Sequence, residues 1–170
     1  MLYDLTVVQF SKMLKNLSNI LEEGRAFAHH KKVDMEVLLN ARLAPDQFNL
    51  TRQVQIACDI AKIGVARLTG KLDSVPKHED NETSLDELQA RIASVLDYLS
   101  GFSEADFANA AAIHVSQPRW EGKYLMGYEF AIENAIPNFY FHVTTAYAIL
   151  RHNGVDLGKK DYLGAMPFQS

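Results

Sequence analysis

A chain of 170 residues can form one compact domain that buries roughly 70% of the surface its unfolded chain exposes. Its 48% apolar and 22% charged residues are ordinary for a globular protein and exclude a disordered or collagen-like one. The net charge of −4 offers no basic stripe to neutralise phosphates, so we expect no nucleic-acid partner.

The sequence contains no pattern typical of a targeting or membrane-spanning segment. Its N-terminal Met-Leu-Tyr-Asp-Leu-Thr lacks a basic region followed by an apolar core, and no apolar run is long enough for a bilayer span. The single cysteine, Cys58, cannot form an internal disulfide, and its helical context favours a small buried residue over a reactive thiol. We therefore expect a cytoplasmic protein without a membrane partner, with residues 1–170 forming a single domain.

Two long helices are predicted in the N-terminal half. Apolar residues at three- and four-residue steps predict the first over residues 4–23, and Gly24 offers a stop. The second is predicted from Pro45 or Asp46 to Thr69, because that pair favours a helix start and a glycine follows the last turn.

Two further long helices are predicted downstream. Ser84 and Glu87 match a capping box, which starts a helix that runs to the glycine at position 101. The charged, proline-containing segment 71–83 before it is predicted to be a solvent-exposed loop. The last long helix is predicted over residues 136–152, since Pro137 suits a first helical turn.

These four helices predict an all-α four-helix bundle. Between the third and the fourth, residues 113–115 and 123–125 alternate apolar and polar side chains around a Pro/Gly turn, which predicts a small β-hairpin. Aromatic residues cover both sides of the last helix, a breadth that favours core packing together with an oligomer interface.

The last helix carries two polar residues on its apolar face. Asn138 and His142 lie four positions apart, so their side chains project roughly 40° from each other. On the second helix, the same projection places Gln53 inward and places Gln55 and Lys62 outward. The sequence thus predicts one imidazole and two carboxamides between facing helices, where bundles build ligand or metal sites.

Two interpretations of this polar set stay open. A neutral imidazole suits Zn, Ni or Fe, but a catalytic zinc normally has three His or carboxylate ligands, and only His142 is of that kind. Alternatively, His142 is a buried histidine hydrogen-bonded to Gln53, Asn138 or water, and fixes only the helix register. Tyr147 on the same helix is a further candidate to contact a ligand or complete a metal site.

Three phrases of the sequence resemble a known family. They are Leu39-Asn-Ala-Arg-Leu-Ala-Pro-Asp46, Leu50-Thr-Arg-Gln-Val-Gln-Ile-Ala-Cys58 and Pro137-Asn-Phe-Tyr-Phe-His-Val-Thr-Thr-Ala-Tyr-Ala-Ile-Leu-Arg-His-Asn-Gly-Val155. They are similar to an uncharacterised bacterial family, a domain of unknown function, that is grouped with the DinB/YfiT-like superfamily of proposed metalloenzymes. The likeness extends from the first helix to Gly158-Lys-Lys-Asp-Tyr-Leu-Gly164.

The resemblance implies an up-down-down-up bundle that forms dimers. Superfamily members with a known activity include metal-dependent thiol S-transferases and hydrolases, whose metal is held by one second-helix His and an HxxxH pair on the fourth helix. On this sequence the pair falls on Asn138 and His142, and the second-helix His falls on Gln53 or Gln55, of which Gln53 projects inward. Two of the three metal positions therefore carry an amide.

Three functional hypotheses follow. The first is a bundle with a degenerate metal site that binds a small polar ligand near Gln53, Asn138 and His142. The second is a metal-dependent thiol S-transferase or hydrolase whose divalent metal, Zn, Ni or Fe, is completed by groups such as Tyr147, Asp46 or water. The third is a structural or interaction protein in which the buried polar set specifies packing.

Overall fold

Helices dominate the computed structural model, which describes residues 1–169. The long helices are α1 (Gln9–Lys31), α3 (Leu50–Thr69), α4 (Leu85–Ser100) and α6 (Ile136–His152), and the short ones are α2 (Met35–Leu39), α5 (Gly127–Phe130) and α7 (Lys159–Leu163). Turns of π-helix at Asp4–Val8 and Ala131–Ala135 lead into α1 and α6, and 3-10 turns occupy Leu72–Ser74, Glu104–Phe107 and Pro118–Trp120. The predicted hairpin is confirmed, with β1 (His114–Ser116) antiparallel to β2 (Tyr124–Met126).

Helix α6 is parallel to α1 and antiparallel to α3. Near the start of both helices, the ring centres of Phe10 and Phe139 lie 4.2 Å apart. Later in both helices, a Cβ built on Gly24 of α1 would lie 3.1 Å from Leu150 of α6. Helices α1 and α6 therefore run in the same direction. Against α3 the order is reversed, because the start of α3 contacts the middle of α6 while Gly64 packs against Ala135, just before α6.

Helix α4 is antiparallel to α1, and it is therefore parallel to α3. Arg25 of α1 pairs with Asp86 at the start of α4, whereas Ser18, earlier in α1, bonds to Gln89, later in α4. The directions of the long helices are consequently up, down, down and up, the order that the family resemblance implied.

The core lies between these four helices. Its members are fully buried apolar side chains from each of them, and the larger ones, Val, Leu, Ile and Phe, each contribute roughly 1.5–3 kcal/mol by burial. They include Phe10, Leu14, Leu17 and Leu21 of α1, Val54, Ala57 and Ala61 of α3, Leu88, Ile92 and Val95 of α4, and Phe139, Val143, Ala146 and Ile149 of α6.

Two predicted helix ends were wrong. The first helix does not stop at Gly24 but continues to Lys31, because Gly24 is buried and its missing side chain lets Leu150 pack closely. The second does not start at Pro45 or Asp46 but at Leu50. Asn49 caps it, its side-chain oxygen accepting a hydrogen bond from the Arg52 backbone N–H at 3.0 Å.

The start of α4 matches its prediction. Ser84 accepts from the Glu87 backbone N–H while the Glu87 carboxylate accepts from the Ser84 N–H, which completes the capping box. Helix α6 also has the predicted bounds, with Pro137 in its first turn. The start of α4 depends on local residues alone, so its capping box suffices to find it, whereas α6 has no side-chain cap and continues from the preceding π-helical turn.

A crossover segment, residues 70–84, joins the parallel helices α3 and α4. The 20 residues of α3 span about 30 Å, since an α-helix rises about 1.5 Å per residue. Because both helices run in the same direction, the crossover segment must return along almost this whole length. It lies over the side of α3 that was predicted to face solvent. Gln55 and Lys62 are consequently only 3% exposed each, which corrects their predicted outward position.

Candidate functional site

His142 lies on the buried side of α6, where it meets Gln53 of α3. The His142 side chain is 8% exposed and Gln53 is 1% exposed. Their contact is a hydrogen bond of 2.7 Å between His142 Nδ1 and Gln53 Oε1. The predicted encounter of these two residues between the second and fourth long helices is therefore present.

The second contact of Gln53 determines the direction of this hydrogen bond. Gln53 Nε2 donates to the Phe48 carbonyl oxygen at 3.1 Å, so the amide presents its oxygen to the imidazole. An amide oxygen only accepts, and His142 Nδ1 must carry the proton that it donates. In the neutral ring, the lone pair is then on Nε2.

The Nε2 atom of His142 is open to an additional partner. It makes no hydrogen bond with residues 1–169, and it is not among the fully enclosed polar atoms that lack one. Burial lowers the pKa of His142, and the positive charge of Arg52 lowers it further. The imidazole is therefore neutral at pH 7, with an available acceptor on Nε2.

Asn138 and Tyr147 do not join this pair. Asn138 lies one helical turn before His142 and lines a groove between α3 and α6. Tyr147 is about 140° further around α6 than His142. Its hydroxyl donates to the Leu157 carbonyl at 3.4 Å and its ring packs edge-on against Tyr162.

The groove beside Asn138 contains the residues that sequence reasoning missed. It has a volume of about 360 Å³ and brings together Arg67 of α3, Asn134 before α6, and Gln117 and Arg119 of the hairpin turn. The sequence analysis did not single out Arg67, and nothing in the sequence indicated that the hairpin turn would lie beside it. These polar groups come from three separate segments of the chain.

A charged cluster under the crossover segment was also missed. Arg91 of α4 is 2% exposed and donates to Asp59, Asp80 and Glu82 at 2.7, 2.6 and 3.0 Å. Nearby, Lys62 Nζ contacts the Pro76 carbonyl oxygen at 2.9 Å. Every carboxylate in this cluster has a cationic partner, so we assign the cluster to holding the crossover segment in place.

Cys58 is the small buried residue that the sequence predicted. It is fully buried on α3, and burial raises the pKa of its thiol to about 12. The thiolate, which is the nucleophilic form, is therefore negligible at neutral pH.

Two kinds of feature are absent from residues 1–169. These residues bring together no cluster of three or more His, Cys, Asp or Glu side chains suited to a metal ion. None of their helices is both long and apolar enough to span a bilayer.

Comparison with known proteins places the chain in a family. The model of a family described as a domain of unknown function, DUF1993, matches residues 2–163. This chain belongs to that family. A DinB family member from Shewanella denitrificans, known from a crystal structure, shares 76% sequence identity with this DUF1993 protein. The match covers 100% of this chain and 96% of that chain, with a TM-score of 0.98. The DUF1993 protein is therefore also DinB-like, and no curated protein matches it.

Proposed function

We propose that this DUF1993 protein binds a small polar molecule between α3 and α6 and that its metal site is degenerate. The observation that carries the proposal is the 2.7 Å contact between Gln53 and His142. It fixes the imidazole with Nε2 unprotonated and turned away from its protein partner. A neutral Nε2 accepts a hydrogen bond from an O–H or N–H group of a ligand.

The residues at the three positions of the superfamily's metal site do not fit that site. Gln53 uses its side-chain oxygen to accept from His142 and its nitrogen to donate to Phe48, so this weakly coordinating amide is already engaged with protein groups at both atoms. Asn138 offers only a weakly coordinating amide, and it faces the groove instead of His142. One imidazole nitrogen remains, whereas a catalytic zinc site normally has three protein ligands.

The electrostatics of His142 favour binding over proton transfer. An efficient general base has a pKa near the working pH, but burial and Arg52 both lower the pKa of this imidazole. Taking up a proton would place a positive charge in a buried site that contains no carboxylate partner for His142 among residues 1–169. His142 is thus better suited to accepting a hydrogen bond than to removing a proton.

The proposal is tested with protein that carries no histidine tag. After incubation with Zn, Ni or Fe and gel filtration, we expect the wild-type protein to retain a substoichiometric amount of metal. A thermal-shift screen of low-molecular-weight thiols, alcohols and amides should find ligands whose affinity falls about tenfold in His142→Gln, the value of one hydrogen bond. His152→Gln, which changes an exposed histidine of the same helix, should leave that affinity unchanged.

Two results would contradict the proposal. Stoichiometric metal in the wild-type protein that is lost in His142→Ala would favour the hypothesis of a metal-dependent transferase or hydrolase. A folded His142→Gln variant that binds every ligand as the wild-type protein does would instead favour the purely structural role of the Gln53–His142 pair.

A further inference from the structure

The groove between α3 and α6 differs from the Gln53–His142 pair in its charge. One wall is formed by Ile56, Ile60, Gly64 and Arg67 of α3, and the other by Asn134, Ala135 and Asn138. The hairpin turn closes one end with Gln117 and Arg119. A volume of about 360 Å³ lies in the range of sites for small organic molecules.

Two guanidinium groups lie at this closed end without an acidic partner. Among residues 1–169, no carboxylate oxygen lies within 4 Å of Arg67 or Arg119, and neither side chain makes a hydrogen bond. The Arg67 Nε atom is fully enclosed and has no hydrogen-bond partner there. An unpaired guanidinium that is partly buried is costly, so this arrangement favours an oxyanion that accepts from the accessible N–H groups of the same side chain.

The charge on Arg67 is held in an unfavourable environment. Burial lowers the pKa of Arg67, and the positive charge of Arg119 lowers it further. Its guanidinium lies 6.0 Å from the ring centre of Phe130, a contact that orients the group but does not neutralise it.

The one acidic residue of the groove is already paired. Asp59 accepts from Lys62 at 3.0 Å and from Arg91 at 2.7 Å, both on the side of α3 beneath the crossover segment. Its negative charge is therefore balanced by those two cations. The excess charge of the groove is positive.

The remaining lining is neutral. Gln117, Asn134 and Asn138 supply amide donors and acceptors, while Ile56, Ile60 and Phe130 supply an apolar floor. A suitable ligand therefore combines an oxyanion with a short apolar body, because guanidinium groups pair with carboxylate and phosphate oxygens through parallel N–H donors.

We propose that this groove binds a small organic oxyanion, a carboxylate or a phosphate ester, through Arg67 and Arg119, with Asn134 and Asn138 contacting its body. The inference goes beyond the proposed function, because neither His142 nor Gln53 lines this groove. Its own determinants are the two arginines.

The test uses the full chain in low-salt buffer at pH 7, titrated with butyrate and with methyl phosphate and observed by amide NMR. We expect at least one of the two to produce saturable shifts at residues of the groove. The affinity should fall at least tenfold in Arg67→Gln and in Arg119→Gln. Arg119 is exposed on a turn, so its variant keeps the test valid if Arg67→Gln fails to fold.

Two controls complete the experiment. Arg151→Gln removes an exposed arginine of α6 and should bind as the wild-type protein does. Butyramide, which has the shape of butyrate without its charge, should not bind. The probe that binds, butyrate or methyl phosphate, identifies the oxyanion as a carboxylate or a phosphate.

The possible outcomes separate this inference from the proposed function. His142→Gln should retain oxyanion binding within about twofold, because His142 is not among the residues that line the groove. The inference is overturned if neither probe binds, if butyramide binds equally well, or if only His142→Gln loses binding. In the last case the proposed function would stand and the arginine site would not.

Discussion

At the scale of single residues, the orientation of one amide decides what His142 can do. A histidine on an apolar helix face is compatible with a metal ligand, a base or a packed core residue. Because the Phe48 carbonyl accepts from Gln53 Nε2, the Gln53 oxygen faces the imidazole and assigns the proton to Nδ1. Metal-binding histidines are oriented by a similar hydrogen bond from the ring nitrogen that does not bind the metal. In this protein the partner is Gln53, at a position where the family resemblance implies a metal ligand.

The protonation state of His142 is directly measurable. In long-range 1H–15N NMR spectra of the imidazole rings, we expect His142 to be the Nδ1–H tautomer and to titrate below the ordinary value of about 6.5. His152, exposed in the last turn of α6, serves as the control ring. Gln53→Ala should release the Nδ1–H tautomer. An Nε2–H tautomer in the wild-type protein would contradict the hydrogen-bond direction inferred above.

At the scale of elements, ion pairs hold the crossover segment against the helices. From its composition alone, the charged residues of this segment were expected to face solvent. Burial by itself would lower the pKa of Arg91, but the hydrogen bonds to Asp80 and Glu82 outweigh it, so the pKa is raised. Arg52 adds a second cation, 2.5 Å from Asp80. The 15-residue segment therefore follows α3 through ion pairs and not through an apolar face of its own.

Removing Arg91 should measure how strongly the crossover segment is held. We expect Arg91→Met to lower the free energy of unfolding by about 3 kcal/mol, the lower part of the range for a broken buried ion pair, because Asp80 can regain water. Urea denaturation checks this value. Arg25→Met also removes an arginine bonded to two carboxylates, Glu22 and Asp86, but on the surface. It should cost at most about 1 kcal/mol, and equal costs for the two variants would contradict a buried role for Arg91.

At the scale of the whole molecule, the up-down-down-up order makes this protein sensitive to acid. Two parallel helices need a long connection, and this connection carries carboxylates whose pKa values change on folding. Burial would raise the pKa of Asp80 and of Glu82, but hydrogen bonds from Arg52 and Arg91 to Asp80, and from Arg91 to Glu82, lower both. At the far end, a hydrogen bond from Lys71 lowers the pKa of Asp106 to about 2.

The pH dependence of stability follows from these directions. A carboxylate with a lowered folded pKa binds fewer protons in the folded state than in the unfolded state, so stability rises with pH in the acid range. We expect the contribution to be complete above about pH 5 and to be lost progressively toward about pH 2. Urea denaturation from pH 7 to pH 3 should show a steeper loss for the wild-type protein than for Arg91→Met, whose carboxylates have lost a partner. Parallel curves would show that the Arg91 cluster is not responsible.

The sequence by itself determined the features that depend on near neighbours along the chain. Helical periodicity, the Ser84–Glu87 capping box and Pro137 located α4 and α6, and projection placed Gln53 and His142 on facing surfaces. The hairpin was indicated by alternation around a Pro/Gly turn. The local conformation of each segment favours these structures whichever neighbour it later packs against.

Only the tertiary structure decided the features that join distant segments. Gly24 does not end α1, because Leu150 of α6 packs against it. The side of α3 that bears Lys62 is covered by the crossover segment, whose Pro76 accepts a hydrogen bond from Lys62. The groove forms because the hairpin turn lies beside α3, which brings together Arg67 and Arg119, 52 positions apart in the sequence. Periodicity records which side of a helix is buried, but not which segment buries it, and so the sequence located His142 without revealing the charge of the groove beside it.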